Sequence, residues 1–353
     1  MFGILHTVRG NQKKRKKRPS PTHHLLHADS EGEYHVPSPQ RVAGHAAIFL
    51  LPFALLTACS DNGGAPTQPR LEDLPSFDGV HDFADTLTVD GVLRRYRVHL
   101  PENYEHERLE SIPLLIVYHG AGEDGETMQL ATGLDTLADI HDFAVAYPNA
   151  VAGHWAGTPD GNPAERQGVE DVSFTRALIR HLAENYAIIP DAAFATGFSR
   201  GGFFIQYMAC QDDTPVQAIA TLGATMATAV RDICAQPSFP APDPIPVLLM
   251  HGDQDNSVPP EGREDLLSLA ETESVLAQLN ECRGDATVTF PPMKPSSQSI
   301  RIRRRLYDRC EDGTRVQVDV VEGGTHRWFG ALDPDSPFSA SEIVVEFLRT
   351  AGM

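Results

Sequence analysis

The spacing of apolar residues changes period along the chain, and each change marks an element. Residues 85–89 and 92–100 alternate apolar with polar around Asp90-Gly91, the pattern of two strands closed by a tight turn. Residues 113–119 (Pro-Leu-Leu-Ile-Val-Tyr-His) form an unbroken apolar run, as in a strand covered on both faces. Over 126–142 the positions Met128, Leu134, Leu137 and Ile140 take helical spacing, and 143–147 returns to strand. Val172, Leu178, Ile179 and Leu182 predict a helix over 171–186. Short apolar runs predict strands at 192–196, 218–222 and 246–250, and 315–321 alternates as a further one. Helices are expected at 274–279 and 341–348. Strands alternating with helices after an antiparallel start predict an α/β fold, a mostly parallel doubly wound sheet with an N-terminal hairpin. No internal repeat is visible, and a single domain is expected over 78–353.

The strand at 192–196 and the apolar helix that begins near Phe203 enclose Gly197-Phe198-Ser199-Arg200-Gly201. A G-x-S-x-G between a strand and a helix suits a nucleophile on a sharp turn, where Cβ atoms two residues to either side would collide. The helix then points its first N–H groups at Ser199, and the N–H of Arg200 is placed to receive a developing oxyanion. An ordinary glycine-rich turn has the same outline, so the reading needs an acid and a base. Residues 251–259 leave the 246–250 strand at the end where an acid belongs, and they offer Asp253 and Asp255. Only one of them can hold a histidine's Nδ1; Asp255 is the expected acid and Asp253 the alternative. His326, on the loop between the last strand and the last helix, is the expected base. The order Ser199, Asp255, His326 is that of the α/β-hydrolases. A second oxyanion donor belongs after the 113–119 strand, where His119-Gly120-Ala121-Gly122 makes the N–H of Ala121 the candidate.

Charge separates the ends of the chain. The 353 residues carry a net charge of −19, yet residues 1–58 hold eight of the 29 Lys/Arg and only three of the 48 Asp/Glu. The remainder therefore has 24 more acids than bases, which argues against nucleic acid as a partner, since phosphate would be repelled. Lys294 is the one lysine beyond residue 58, a bias that fits either a salt-adapted surface or a GC-rich genome. The scattered His23, His24, His27 and His35 come without a cysteine or carboxylate pattern, and neither a metal nor another cofactor is expected. Residues 43–58 are a short apolar stretch after Arg41, the h-region of an export signal rather than a membrane span. Leu56-Thr57-Ala58-Cys59 resembles a bacterial lipobox, which implies acylation of Cys59, a tether over 59–77 and contact with a membrane through lipid alone. Ser60 resembles the residue of the outer-membrane-sorted class. An n-region this long suggests that translation starts further downstream than Met1.

Five segments together carry a family resemblance. They are Leu-Leu-Ile-Val-Tyr-His-Gly-Ala-Gly at 114–122, Gly-Val-Glu-Asp-Val at 168–172, Ala-Thr-Gly-Phe-Ser-Arg-Gly-Gly at 195–202, His-Gly-Asp-Gln-Asp at 251–255 and Glu-Gly-Gly-Thr-His-Arg-Trp at 322–328. From about residue 85 onward the chain resembles the secreted polyhydroxybutyrate depolymerase and feruloyl esterase-like family of α/β-hydrolases. The resemblance implies an exported serine carboxylic ester hydrolase acting on hydroxyalkanoate oligomers, or alternatively on feruloyl or acetyl esters of plant polysaccharide. Peptidase and non-catalytic surface binding protein are the rival classes. Arg200, Thr325 and Phe329 depart from the family pattern, at positions expected on the pocket rim. With Cys59 lipidated, four cysteines remain, an even number that suggests two disulfides in an exported protein. Proximity and the family pattern favour Cys210–Cys234 and Cys282–Cys310 among the three pairings. The two tryptophans, Trp155 and Trp328, are candidates either for the core or for a substrate-binding wall.

Overall fold

Asp90 and Gly91 both take positive φ (51° and 80°), the type I′ geometry that matches the twist of a hairpin. They join β1 (Asp82–Val89) to β2 (Val92–His99) with Val89 opposite Val92. The structure, a computed structural model, describes residues 81–353 apart from 105–110, 159, 212, 236–242, 297, 332 and 334. These residues belong to one compact unit, Thr67–Met353. The export signal, Cys59 and the tether lie outside the described residues.

The remaining strands are β3 (Ile112–Tyr118), β4 (Ala144–Pro148), β5 (Ile188–Phe198), β6 (Ile219–Leu222), β7 (Val247–Gly252), β8 (Thr287–Thr289), β9 (Arg301–Tyr307) and β10 (Val316–Glu322). They form one sheet in the order β1-β2-β4-β3-β5-β6-β7-β10-β9-β8. The run from β4 to β10 is parallel, and an antiparallel pair flanks it on each side. Its strands read as continuous apolar runs because both faces are covered. Leu114, Ile116 and Tyr118 enter the core beneath α3 (Asp171–Asn185), α4 (Arg200–Ala209) and α6 (Leu269–Leu279). Leu115 and Val117 enter the opposite core, beneath α1 (Gly125–Thr132), α2 (Leu134–His141) and α7 (Ala340–Thr350). The period-two alternation of a strand thus feeds two cores at once. No helix among the described residues is long and apolar enough to cross a membrane.

Three elements differ from expectation. The helix foreseen over 126–142 is two, broken at Gly133, whose φ of 60° serves as the end of α1 and the start of α2. A helix at Thr228–Cys234 (α5) was not foreseen at all. Neither was the antiparallel pair β8–β9, because Arg-Ile-Arg-Arg-Arg-Leu-Tyr does not look like a strand. Its arginines are neutralised by acids of β10 and α6. Arg304 pairs with the fully buried Asp319 at 2.7 Å, Arg301 and Arg303 meet Glu322, and Arg305 meets Glu273 at 2.9 Å. Opposite charges facing each other across β9 and β10 hold β9 in the sheet as apolar contacts would, and Glu273 reaches Arg305 from α6.

Among the described residues there are two disulfides. Cys210–Cys234 joins the end of α4 to α5, and Cys282–Cys310 joins the chain after α6 to the chain after β9. Both are the pairs that the family resemblance implied.

Candidate active site

Strand β5 delivers Ser199 at the carboxyl edge of the parallel sheet. Its φ of 51° and ψ of −115° lie where side chains rarely go, so surrounding contacts must hold the residue there. The Ser199 N–H donates to the Leu222 carbonyl at 2.9 Å, and its carbonyl accepts from Phe203 N–H at 3.1 Å. The two flanking glycines are sterically required. A Cβ on Gly197 would lie 2.5 Å from the Gly201 carbonyl carbon, and one on Gly201 would run into the Tyr118 carbonyl. Ser199 is the N-cap residue of α4, yet its hydroxyl makes no capping hydrogen bond. A serine in that position ordinarily spends its oxygen on the helix; this one leaves it available for chemistry.

The acid and base loops are stitched together by backbone contacts. Asp253 N–H donates to Val321 O at 3.1 Å, and Gln254 N–H to Gly324 O at 2.9 Å. The geometry separates the two aspartates. Asp253 is exposed and accepts from Gly323 N–H at 2.7 Å, so it fastens one loop to the other. Asp255 is 2% exposed. Its Oδ1 accepts from Ser257 N–H (2.9 Å) and Val258 N–H (2.8 Å), and its Oδ2 accepts from His326 Nδ1–H at 2.7 Å. With its proton on Nδ1, His326 keeps a bare Nε2, the arrangement of a general base. The imidazole packs on Phe198, the neighbour of Ser199, with ring centroids 4.8 Å apart. Gly223 leaves room for both rings: a Cβ there would come within 3.0 Å of Phe198 and 3.2 Å of His326. Among the described residues no hydrogen bond joins Ser199 Oγ to His326. Such bonds commonly tighten only when substrate is bound.

The turn after β3 identifies its own free donor. Gly120 N–H donates to Glu123 Oε2 (2.8 Å), Gly122 N–H to Gly153 O (3.0 Å) and Glu123 N–H to Gly120 O (3.3 Å). Within Gly120–Glu123, Ala121 N–H, on an exposed residue, is the one that donates to no group among the described residues. Buried His119 sets this turn. Its Nε2 accepts from Ala150 N–H at 3.0 Å, so the proton sits on Nδ1 and goes to Gly120 O at 2.7 Å. Burial lowers its pKa and keeps the ring neutral. In a trans peptide the Ala121 N–H then points opposite to that carbonyl. On the other side of Ser199, the first N–H groups of α4, Arg200's included, have no acceptor within the helix.

The side chains proposed for substrate contact have other partners. Trp155 is 1% exposed, stacks on Phe204 and donates its indole N–H to His119 O at 2.9 Å. A ring so enclosed has no face to offer a ligand; it belongs to the core and buttresses the turn at 119–122. Trp328 is half-buried against the core under α7, its indole N–H donating to Ser341 Oγ at 2.9 Å. Phe329, expected on the rim, is buried against Phe338. The Arg200 guanidinium donates to Asp160 and to Thr158 Oγ1, so it ties the long loop after β4 to the start of α4. His119, Phe198 and Asp160 were missed in the sequence. A His-Gly at a strand end was the available signal for the first; nothing local marks the others.

Among the described residues one cluster has the donors for a metal, Asp82, His99 and Asp135, at the β1–β2 edge of the sheet. Both ring nitrogens of His99 already have partners, Asp82 and Asp139, each at 3.1 Å. Burial alone would lower the pKa of His99, but the hydrogen bonds to Asp82 and Asp139 and the charges of Asp135 and Asp82 raise it to about 9.

Comparison with known proteins shows what the chain is similar to. No family model matches the chain. NocK of Nocardia uniformis subsp. tsuyamanensis, named as an esterase by inference, is 28% identical over 80% of this chain and 90% of its own length. Feruloyl esterase B of Piromyces equi is 26% identical over 66% of this chain, which spans only 42% of that enzyme. Among solved structures, Thermogutta terrifontis esterase 2 phosphonylated by cyclosarin covers 80% of this chain and 97% of its own, with a TM-score of 0.51 at 14% identity. The fold is that of the α/β-hydrolases. The relatives and structures of that fold to which the chain is similar are named as esterases.

Proposed function

We propose that the protein hydrolyses carboxylic esters through an acyl-enzyme, with Ser199 as nucleophile, His326 as base and Asp255 as the acid that orients it. His326 Nε2 takes the Ser199 proton as Oγ attacks the ester carbonyl, and the developing oxyanion is received by the N–H groups of Ala121 and Arg200. His326 then protonates the leaving alcohol, and water, deprotonated in turn, releases the acid. One observation carries this reading: a strained serine with an unspent hydroxyl follows Phe198, whose ring packs on a histidine whose Nδ1–H is fixed by a buried aspartate at 2.7 Å.

The substrate class we infer is a feruloyl or acetyl ester of plant polysaccharide, supported by the feruloyl esterase among the relatives. A hydroxyalkanoate oligomer is the second reading, supported by the five sequence segments that resemble polyhydroxybutyrate depolymerases. Two disulfides favour an oxidising compartment, in keeping with export and with anchoring through acylated Cys59. The catalytic domain of this proposal is 78–353, after a signal region at 1–58 and a tether at 59–77.

The test is turnover of three substrates by the purified protein: p-nitrophenyl acetate, methyl ferulate and a hydroxybutyrate trimer, with Ser199→Ala as background. The acetyl or feruloyl arm is expected to exceed the trimer by about tenfold or more in kcat/KM. Preference for the trimer would overturn the substrate class alone. Activity of Ser199→Ala within about tenfold of wild type would overturn the triad.

A further inference from the structure

We propose that His251 is a positioning residue for the acid of the triad, acting through Val258 on the turn that carries Asp255; the proposal rests on reading Asp255 and His326 as acid and base. His251 lies in β7 opposite Val320 of β10, with a side chain 0% exposed. Its Nε2 meets the Val258 carbonyl at 2.9 Å. A carbonyl only accepts, so Nε2 carries the proton. The N–H of the same Val258 donates to Asp255 Oδ1 at 2.8 Å. Val258 is therefore clamped between the imidazole on one side and the carboxylate on the other. Its own side chain is buried against Phe203, Ala224 and Leu266, so the clamp is seated on a packed surface. Removing the imidazole would leave the Val258 carbonyl buried and unpaired and free the turn to shift.

The same Nε2 also stands 3.7 Å from Asp255 Oδ2, the oxygen that receives the His326 proton. Two charged or titratable groups face His251, Asp255 from its own loop and His326 from the loop after β10. Burial pushes the imidazole toward the neutral form, the Val258 bond and Asp255 oppose this, and His326 adds to it. As long as His251 is neutral, the charge of Asp255 serves His326 alone. A protonated His251 would set a second cation against the same carboxylate. The His251 Nδ1 is buried without a hydrogen-bond partner among the described residues. Packing alone would favour an apolar residue there, and the cost of that orphaned nitrogen is borne for the donor at Nε2.

The test compares His251→Leu with His251→Gln in the full chain, using p-nitrophenyl acetate. Leucine fills the space without a donor, whereas the glutamine amide can reach the Val258 carbonyl. The leucine variant is expected to lose about tenfold in kcat with KM within about twofold. Its acid limb should move to lower pH, because a loosely held Asp255 stabilises the His326 imidazolium less. The downfield proton resonance of the Asp255–His326 hydrogen bond should weaken or shift, and glutamine should recover most of the loss. Wild-type kcat and limb in the leucine variant would overturn the proposal. So would equal losses in both variants with the limb unmoved, the signature of packing alone. If the leucine variant does not fold, His251→Asn takes its place, its amide being too short for Val258. Asp255→Asn is measured alongside. If it stays active, the triad reading itself falls and the proposal with it; if it is inactive while His251→Leu is unaffected, only the role of His251 falls.

Discussion

Asp255→Asn exchanges one carboxylate oxygen for an NH2 without changing shape. Asp255 Oδ1 accepts two backbone N–H groups, from Ser257 at 2.9 Å and Val258 at 2.8 Å, so the asparagine carbonyl will settle there. The NH2 then falls opposite His326 Nδ1, where Oδ2 now accepts at 2.7 Å. Two donors cannot share that distance. The imidazole relieves the conflict by moving its proton to Nε2, and a protonated Nε2 cannot accept from Ser199. A wrong tautomer in such a triad costs on the order of 10⁴ in kcat, which is about 5 kcal/mol of transition-state stabilisation. Asp253→Asn is the paired control. Its carboxylate is exposed and accepts one backbone N–H, from Gly323 at 2.7 Å, a role an amide oxygen fills equally well. Its kcat/KM should stay within about threefold of wild type. The assay is p-nitrophenyl acetate hydrolysis, with thermal unfolding to confirm that both variants keep the fold. A larger loss at Asp253 than at Asp255, or Asp255→Asn within about tenfold of wild type, would refute the reasoning.

His99, raised to about 9 from an ordinary 6.5, ties β1, β2 and α2 together as an imidazolium among Asp82, Asp135 and Asp139. A histidine whose folded pKa is raised contributes stability that is full below about 6.5 and lost as the pH climbs through about 9, with a ceiling of about 3 kcal/mol. Urea unfolding at a series of pH values should show that decline in the wild type and a flatter profile in His99→Gln; identical slopes would remove the latch. At the other end of the chain, mass spectrometry of membrane-extracted protein should find a mature chain that begins at Cys59 and carries acyl mass. A soluble, unmodified chain that begins elsewhere would exclude lipidation.

Much of the architecture is a local matter and was legible in the sequence. The two-residue period around Asp90-Gly91 specifies a hairpin. The unbroken apolar run at 113–119 specifies a strand covered on both faces. The G-x-S-x-G is partly local, because Gly197 answers to a collision with Gly201 within five residues of the chain, whereas Gly201 answers to the Tyr118 carbonyl of β3. The rule that one carboxylate holds one Nδ1 left Asp253 open beside Asp255; only the folded chain brings Asp255 Oδ2 to His326 Nδ1 at 2.7 Å and gives Asp253 to Gly323.

What the sequence left open depends on partners far along the chain. Arg301 to Arg305 look like a solvated run until Glu322, Asp319 and Glu273 are brought against them, and only then does β9 become a strand. Gly133 at a φ of 60° divides a helical pattern that periodicity reads as continuous, because both halves keep their apolar faces on the same core. The burial of Trp155 is decided by Tyr118 and Phe204, from two other elements. The engagement of Arg200 is decided by Asp160, on a loop forty positions away. Ala121 emerges as the free donor only after the N–H groups of Gly120, Gly122 and Glu123 have been assigned to acceptors, one of them on a different loop. Apolar periodicity records which side of an element meets a core. Pairing of charges and the assignment of buried hydrogen bonds are properties of the assembled chain, because each is settled by which distant group arrives within reach and displaces water.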